Sequence, residues 1–208
     1  MKKAQIDGDT KINRYPEIFT EIKSIYETLD RDHPKKILSF GCSTGEEPLT
    51  LKELYFKNSH VVGYDINEKV ILANKKTPNL TSIHFYSDLK SLVENDMASG
   101  SAKYDLIFGM SVFCKWPESK TKKYTFTEFE ECLETVDGIL KVGGYLCLYN
   151  TKFLFEETEI FKNYNIVSTR HKINGFVKKY NKTETYIEYD NKGAGLYYGN
   201  FLYKKIKD

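Results

Sequence analysis

Small residues and carboxylates gather at one point of the chain in a way that suits ligand binding. Phe40-Gly41-Cys42-Ser43-Thr44-Gly45-Glu46-Glu47-Pro48 lies between an apolar run, Ile37-Leu38-Ser39-Phe40, and a segment with helical spacing. Gly41, Ser43 and Gly45 build a turn with little side-chain bulk, so backbone can approach a ligand closely. The N–H groups that open the following helix face the same spot. Asp65 closes the next apolar run, Val61-Val62-Gly63-Tyr64. A carboxylate placed there accepts both hydroxyls of a ribose in dinucleotide-binding folds. Strand, small-residue turn, helix, strand and terminal acid in that order say more than a glycine pattern alone; the plainer account is a tight turn followed by a surface aspartate.

The residues also narrow the ligand. A dinucleotide would favour G-x-G-x-x-G, which is absent, and Glu46 and Glu47 put negative charge where a phosphate would be repelled. A ligand with a ribose, a cationic end and no phosphate fits better, and S-adenosylmethionine has that shape. From about Thr10 to Asn150 the sequence resembles the class I S-adenosylmethionine-dependent methyltransferases. Ser43-Thr44-Gly45-Glu46-Glu47-Pro48 looks like the S-T-G-E-E-P glycine motif of CheR-type chemotaxis-receptor methyltransferases. That resemblance implies that Glu46 helps hold the cofactor, and that Thr10 and Arg14 form the family's T-x-x-x-R contact, with Arg14 pairing the methionine carboxylate. Two departures stand out. Ser39 occupies the place of the acid usual before the first motif glycine, and the helical domain that precedes CheR-type catalytic domains is not evident.

Further positions follow from such a fold. Ile66 follows Asp65 at the cofactor. Asp88 and Leu89 would flank the adenine, although Asp88 serves equally as a helix N-cap. Met110 and Ser111, closing the fourth predicted strand, would line the cofactor pocket; Met110 is equally plain core. Lys115 and Trp116 stand in the loop beyond, on the carboxyl side of the sheet where open α/β folds bind ligands. They are the substrate-side candidates, together with Asn150 at the end of the fifth strand and Tyr15, placed to close over the sulfonium. The Lys120–Lys123 run reads as a solvated basic loop. No catalytic nucleophile is expected, because a sulfonium donor is already activated and positioning can supply much of the acceleration.

Two rivals come from other classes. Gly41-Cys42-Ser43-Thr44-Gly45 matches G-x-S-x-G, the nucleophile elbow of α/β-type serine hydrolases, with Ser43 as nucleophile and His171 as base. Against it, one strand precedes the elbow instead of several, and no H-G-G-G run is present. The other rival is a non-catalytic S-adenosylmethionine-binding protein on the same fold. A Rossmann oxidoreductase is weaker still for want of the third glycine.

These positions need a scaffold, and hydrophobic periodicity supplies one. A first helix carries Ile18, Ile22, Ile25, Tyr26 and Leu29. Strands at Ile37–Phe40, Val61–Tyr64, Ile83–Tyr86, Asp105–Phe108 and Tyr145–Tyr149 alternate with helices, among them Pro48–Phe56 and Phe126–Leu140, with Gly143-Gly144 turning the chain into the fifth strand. Such alternation predicts right-handed crossovers and a doubly wound, mostly parallel sheet. After Asn150, Asn165–Thr169, Thr185–Tyr189 and Leu196–Tyr203 read as strands with polar connections that form an antiparallel closing hairpin at one edge, and a seven-stranded sheet is expected. The expected organisation is one S-adenosylmethionine-binding methyltransferase domain over 1–208, with an N-terminal helical lid over 1–34 and antiparallel strands over 151–208.

Composition agrees with a packed domain. The chain has 208 residues, 40% of them hydrophobic, including 16 Tyr and 13 Phe, enough for a sizeable core. With 31 Lys+Arg against 29 Asp+Glu, the net charge of +2 argues against a dedicated nucleic-acid binder and leaves a small-molecule or protein methyl acceptor as the expected partner. Nothing apolar is long enough to span a bilayer, and the first residues do not read as a signal peptide, so a cytoplasmic location is expected. The four cysteines, Cys42, Cys114, Cys132 and Cys147, are scattered and read as small hydrophobes. His33, His60, His84 and His171 show no metal-ligand spacing, so no metal is expected.

Overall fold

The structure, a computed structural model, describes residues 10–30, 36–97, 103–114, 124–167, 169, 174–175, 177–187 and 197–208. They fall into two compact units, Gly8–Phe108 and Gly109–Asp208.

In the first unit, strands β1 (Lys36–Phe40), β2 (His60–Tyr64), β3 (His84–Tyr86) and β4 (Tyr104–Met110) run parallel, with Ile37 opposite both Val61 and Leu106 and Val62 opposite His84. β1 and β4 are buried along their whole length, as parallel strands covered on both faces must be, and that is why they read as unbroken apolar runs. Helix α1 (Pro16–Ile25) begins on a proline, which the first turn tolerates. It buries Ile18, Phe19 and Ile22, and Phe19 meets Phe108 edge-on at 5.5 Å. Helices α2 (Glu46–Thr50), α3 (Glu68–Asn74) and α4 (Leu89–Ser91) each follow a strand. α1, α2 and α4 pass directly into wider π-helical turns, Tyr26–Asp30, Leu51–Tyr55 and Leu92–Met97. The second helix thus opens at Glu46 and not at Pro48.

The second unit contains the longest helix, α5 (Phe126–Ile139). Thr125 and Glu128 form a reciprocal capping box at its start, and Phe129, Leu133, Val136 and Ile139 make its buried stripe. β5 (Leu140–Tyr149) follows without a loop, and β6 (Tyr164–Ile166) comes after two short 3-10 turns. β7 (Asn174–Gly175) and β8 (Tyr197–Tyr198) form a separate two-stranded ladder, and β9 (Leu202–Lys205) pairs antiparallel with both β5 and β6. The main sheet has seven strands in the order β3-β2-β1-β4-β5-β9-β6, so the doubly wound, mostly parallel sheet with antiparallel C-terminal strands is present.

Local expectations differ in three places. Gly143-Gly144 lies inside β5 and does not precede it: Gly143 takes φ 87°, which glycine adopts freely, so the strand passes through the pair. The strand expected at Thr185–Tyr189 is reduced, among its described residues, to an isolated bridge between Tyr180 and Tyr186. Asn181 explains this locally, because its side chain accepts the Thr185 N–H at 2.8 Å while Glu184 N–H donates to its carbonyl at 2.9 Å, closing a turn where a strand would need open backbone. The sheet strand near Leu196–Tyr203 is confined to β9. Among the described residues no helix is long and apolar enough to cross a membrane.

A buried ion pair pins the last strand. Lys205, 1% exposed, places Nζ 3.0 Å from Asp137 Oδ1 and 2.9 Å from Asp208 Oδ1, and donates to the Asp137 carbonyl. Tyr164 donates its hydroxyl to the same Asp137 oxygen at 2.6 Å. Removing Asp137 leaves the buried Lys205 ammonium to the exposed Asp208 carboxylate, a loss of about 2 kcal/mol, below that of a fully stranded charge. Asp137→Ala should therefore lower urea stability by about that amount, while Lys205→Met, which removes the buried charge itself, should cost less. Equal losses in the two variants would contradict this account of the pair.

Candidate cofactor-binding site

At the carboxyl ends of β1 and β2 the glycine turn is held by the neighbouring strand. The N–H groups of Gly41 and Cys42 both donate to the Tyr64 carbonyl, at 2.7 and 2.9 Å. Gly41, Ser43 and Gly45 take φ 80°, 46° and 94°, three left-handed residues in a five-residue turn. Two are glycines, which adopt this region at little cost; Ser43 is held there against its preference, as happens at ligand sites. A Cβ on Gly45 would stand 2.7 Å from Leu80 Cδ1, so the turn also packs too closely for a side chain at that position.

Asp65 is the keystone of this arrangement. Its Oδ2 accepts the Ser43 N–H at 3.0 Å and its Oδ1 the Asn67 N–H at 2.8 Å. The carboxylate thus clamps the turn after β1 to the turn after β2, and each oxygen retains acceptor capacity for a further donor. Two fixed acceptors side by side are what the vicinal hydroxyls of a ribose require, so the acceptor pair fits that part of S-adenosylmethionine. Asn74, buried in α3, donates to the Ser43 carbonyl at 2.8 Å and holds the turn from the other side. Sequence reasoning missed Asn74, and nothing in its spacing marked it.

Glu47 is the second residue that the sequence left unassigned. Ser39, fully buried on β1, donates to Glu47 Oε1 at 2.8 Å, so a carboxylate from α2 stands against the serine that occupies the usual acid's position. The available signal was Ser39 itself: a buried hydroxyl there needs an acceptor. Burial pushes the Glu47 carboxyl up to about 8, against the opposing effects of the Ser39 hydrogen bond and the Arg14 charge. Glu46 is half-buried at the rim, and its Oε2 accepts the Thr44 hydroxyl at 2.6 Å. Cys42 is no nucleophile: burial first, then the charges of Asp65, Glu47 and Glu46, hold its thiol well above the ordinary range.

The segment ahead of α1 reaches the same helix. Asn13 donates its N–H to the Thr50 hydroxyl at 2.9 Å and accepts from the Tyr55 hydroxyl at 2.8 Å. Arg14 lies over the Tyr15 ring at 5.3 Å, and Thr10, Arg14 and Tyr15 are all half-buried. Ile66 is half-buried beside Asp65. Asp88 is exposed and caps α4, accepting the Ser91 N–H at 2.7 Å; that bond holds its carboxyl below the usual range. Leu89 behind it is half-buried.

The second unit carries the remaining assignments. Met110 and Ser111 are buried, Ser111 N–H donates to the Tyr149 carbonyl at 2.8 Å, and the Asn150 amide donates to the Ser111 hydroxyl at 2.8 Å. Ser111 and Asn150 both have positive φ, 57° and 54°. Two residues given different roles from sequence are therefore joined in one buried hydrogen bond. Lys179, which the sequence did not flag, is buried and donates to the Thr151 hydroxyl, and burial pulls its ammonium down to about 7. Lys115, Trp116, the Lys120–Lys123 run and His171 lie outside the described residues.

Glu47 gives the site a pH signature. Its carboxyl titrates near 4.5 when unfolded and about 8 when folded, so the folded state holds a proton that the unfolded state releases. Its contribution to stability is complete below 4.5 and is lost as pH rises toward 8. Urea stability of the wild type minus that of Glu47→Gln should fall across this window. A difference that is flat or rises with pH would contradict the buried, protonated carboxyl.

A comparison with curated proteins finds no match. Among solved structures, the chain is similar to the StiE O-MT segment, with 16% identity over 72% of this chain and 52% of that one, at a TM-score of 0.44. It is also similar to the plantazolicin methyltransferase BpumL in complex with SAH, with 19% identity over 66% of this chain and 51% of that one, at a TM-score of 0.41. The chain thus spans about half the length of these structures. The family profile described as "Methyltransferase domain" matches residues 32–192, well over half of the sequence, and the chain belongs to this methyltransferase-domain family, for which S-adenosylmethionine is the methyl-donor cofactor.

Proposed function

We propose that this chain is an S-adenosylmethionine-dependent methyltransferase acting on a small-molecule or protein acceptor. The observation that carries the proposal is the Asp65 clamp, in which a carboxylate at the end of β2 is fixed by backbone N–H groups of Ser43 and Asn67 beside a left-handed glycine turn. Bound there, S-adenosylmethionine supplies a methyl group already activated by its sulfonium. Asp65 accepts the ribose hydroxyls. Ile66, Asp88 and Leu89 flank the adenine, with Asp88 keeping its capping bond. Gly41, Ser43 and Gly45 let backbone come close, and the Glu46 carboxylate at the helix start favours a cationic ligand over a phosphate.

Within this proposal the CheR-like resemblance of Ser43-Thr44-Gly45-Glu46-Glu47-Pro48 assigns Glu46, Thr10 and Arg14 to the methionine end of the cofactor. Asn13, anchored to Thr50 and Tyr55, supports that assignment by tying the segment of Thr10 and Arg14 to the helix of Glu46. Tyr15, Lys115, Trp116 and Asn150 are proposed for the acceptor side. The hydrolase alternative places Ser43 as a nucleophile. Its backbone N–H and carbonyl are both committed to the clamp, to Asp65 and Asn74, which supports a positioning role for the turn.

Two variants test the assignment. Asp65→Asn keeps the size of the side chain but removes the charge and replaces one of the two accepting oxygens with an NH2 group. S-adenosylhomocysteine affinity by calorimetry should therefore fall about tenfold or more, the loss of a charge-assisted hydrogen bond of about 1.5–3 kcal/mol, with circular dichroism and the unfolding midpoint confirming that the variant stays folded. Unchanged affinity would refute the ribose assignment. Trp116→Ala should lower turnover and leave S-adenosylhomocysteine affinity nearly intact. Loss of cofactor binding in that variant would make Trp116 a core or cofactor residue.

A further inference from the structure

At the opposite ends of the same strands, His60 opens β2 and His84 opens β3. Register places Val62 opposite His84. Because side chains alternate along a strand, His60, two residues before Val62, lies on the same face as His84. Asp96, in the turn that continues α4, comes down on that face and is 5% exposed. His60 Nε2 stands 2.9 Å from Asp96 Oδ1, and the two imidazoles meet edge to face with centroids 5.1 Å apart. One ligand atom from each of the three residues falls within 4.8 Å of the others.

We propose that His60, His84 and Asp96 form a binding site for a divalent transition-metal ion of the zinc class. Bonds of roughly 2.0–2.2 Å to nitrogen and oxygen put neighbouring ligand atoms about 3–3.5 Å apart. The His60–Asp96 pair already meets that spacing, and rotation of the exposed His84 ring closes the rest. The carboxylate is oriented for it: Asp96 Oδ1 faces the histidines, while Oδ2 accepts the Tyr104 hydroxyl at 2.6 Å and the Lys36 ammonium at 2.8 Å. Hydrogen bonds of this kind hold a ligating carboxylate in place. Lys36 offsets the carboxylate charge, so the imidazoles must carry the affinity. That selects zinc, cobalt, nickel or copper over magnesium and calcium. Open positions would be filled by water. The site joins β2, β3 and the α4 turn at the end of the sheet away from Asp65, so it braces the fold and takes no part in methyl transfer. The expectation of no metal rested on linear spacing, which does not register residues that parallel pairing brings together.

Titration of the tag-free full chain with Co2+, followed by visible absorption, tests this. One equivalent should bind and be displaced by Zn2+, without the intense near-ultraviolet bands of thiolate ligation. At a hundredfold excess of Zn2+ over its Kd, the unfolding midpoint should rise by about 5–10 °C, and Mg2+ should not move it. His84→Ala, a change at an exposed position, should weaken Co2+ binding at least about tenfold; should that variant fail to fold, His60→Gln carries the same comparison. No binding by the wild type, equal affinity in the variant, thiolate bands, or an equal shift with Mg2+ would each overturn the proposal.

Discussion

A single carboxylate holds the ligand-binding end of the first unit together. Parallel strands finish with their carbonyls and the following turns side by side, and nothing in the sheet itself fixes how those turns are spaced. Asp65 does so by taking a backbone N–H from each of two turns, Ser43 on one side and Asn67 on the other. The Tyr64 carbonyl reinforces the clamp by accepting from Gly41 and Cys42. Three left-handed residues in the turn are tolerable because these bonds over-determine it. The group proposed for ribose recognition is thus also the structural brace, and it lends two turns the rigidity of the strands beneath them.

Three carboxyl groups gather around that clamp. Glu46, Glu47 and Asp65 surround the turn, and Arg14 is the cation whose charge reaches Glu47. Glu47, half-buried against Ser39, has its carboxyl pushed up to about 8 by desolvation, against the Ser39 hydrogen bond and the Arg14 charge. The same logic governs the far end of the sheet, where Asp96 stays ionised because Lys36, Tyr104 and His60 converge on it. Glu47 and Asp96, carboxyls on helical turns at opposite ends of the strands, are therefore shifted in opposite directions through their partners and not through depth alone.

The alternating strand and helix order was legible because strands covered on both faces read as apolar runs, and β1 and β4 are such strands. The turn chemistry was legible as well, since Gly41, Gly45 and Asp65 occupy positions where backbone geometry restricts the residue. Reading failed where the deciding contact is distant in sequence. Glu47 meets Ser39, and Asn74 meets Ser43, only after α2 and α3 fold back on the strands. His60, His84 and Asp96 are dispersed in the chain and converge only through register. In the C-terminal part, β7 and β8 are two residues each, too short for alternation to show, and the Asn181 side chain closes a turn where a strand was expected.

The central claim, that this family member binds S-adenosylmethionine at the Asp65 clamp, is tested most directly by calorimetric titration of the purified wild-type chain with S-adenosylhomocysteine and, separately, NAD. One equivalent of S-adenosylhomocysteine should bind, and NAD, whose pyrophosphate would meet the Glu46 carboxylate at the helix start, should give no binding heat. Binding of NAD in its place, or of neither ligand, would contradict the account.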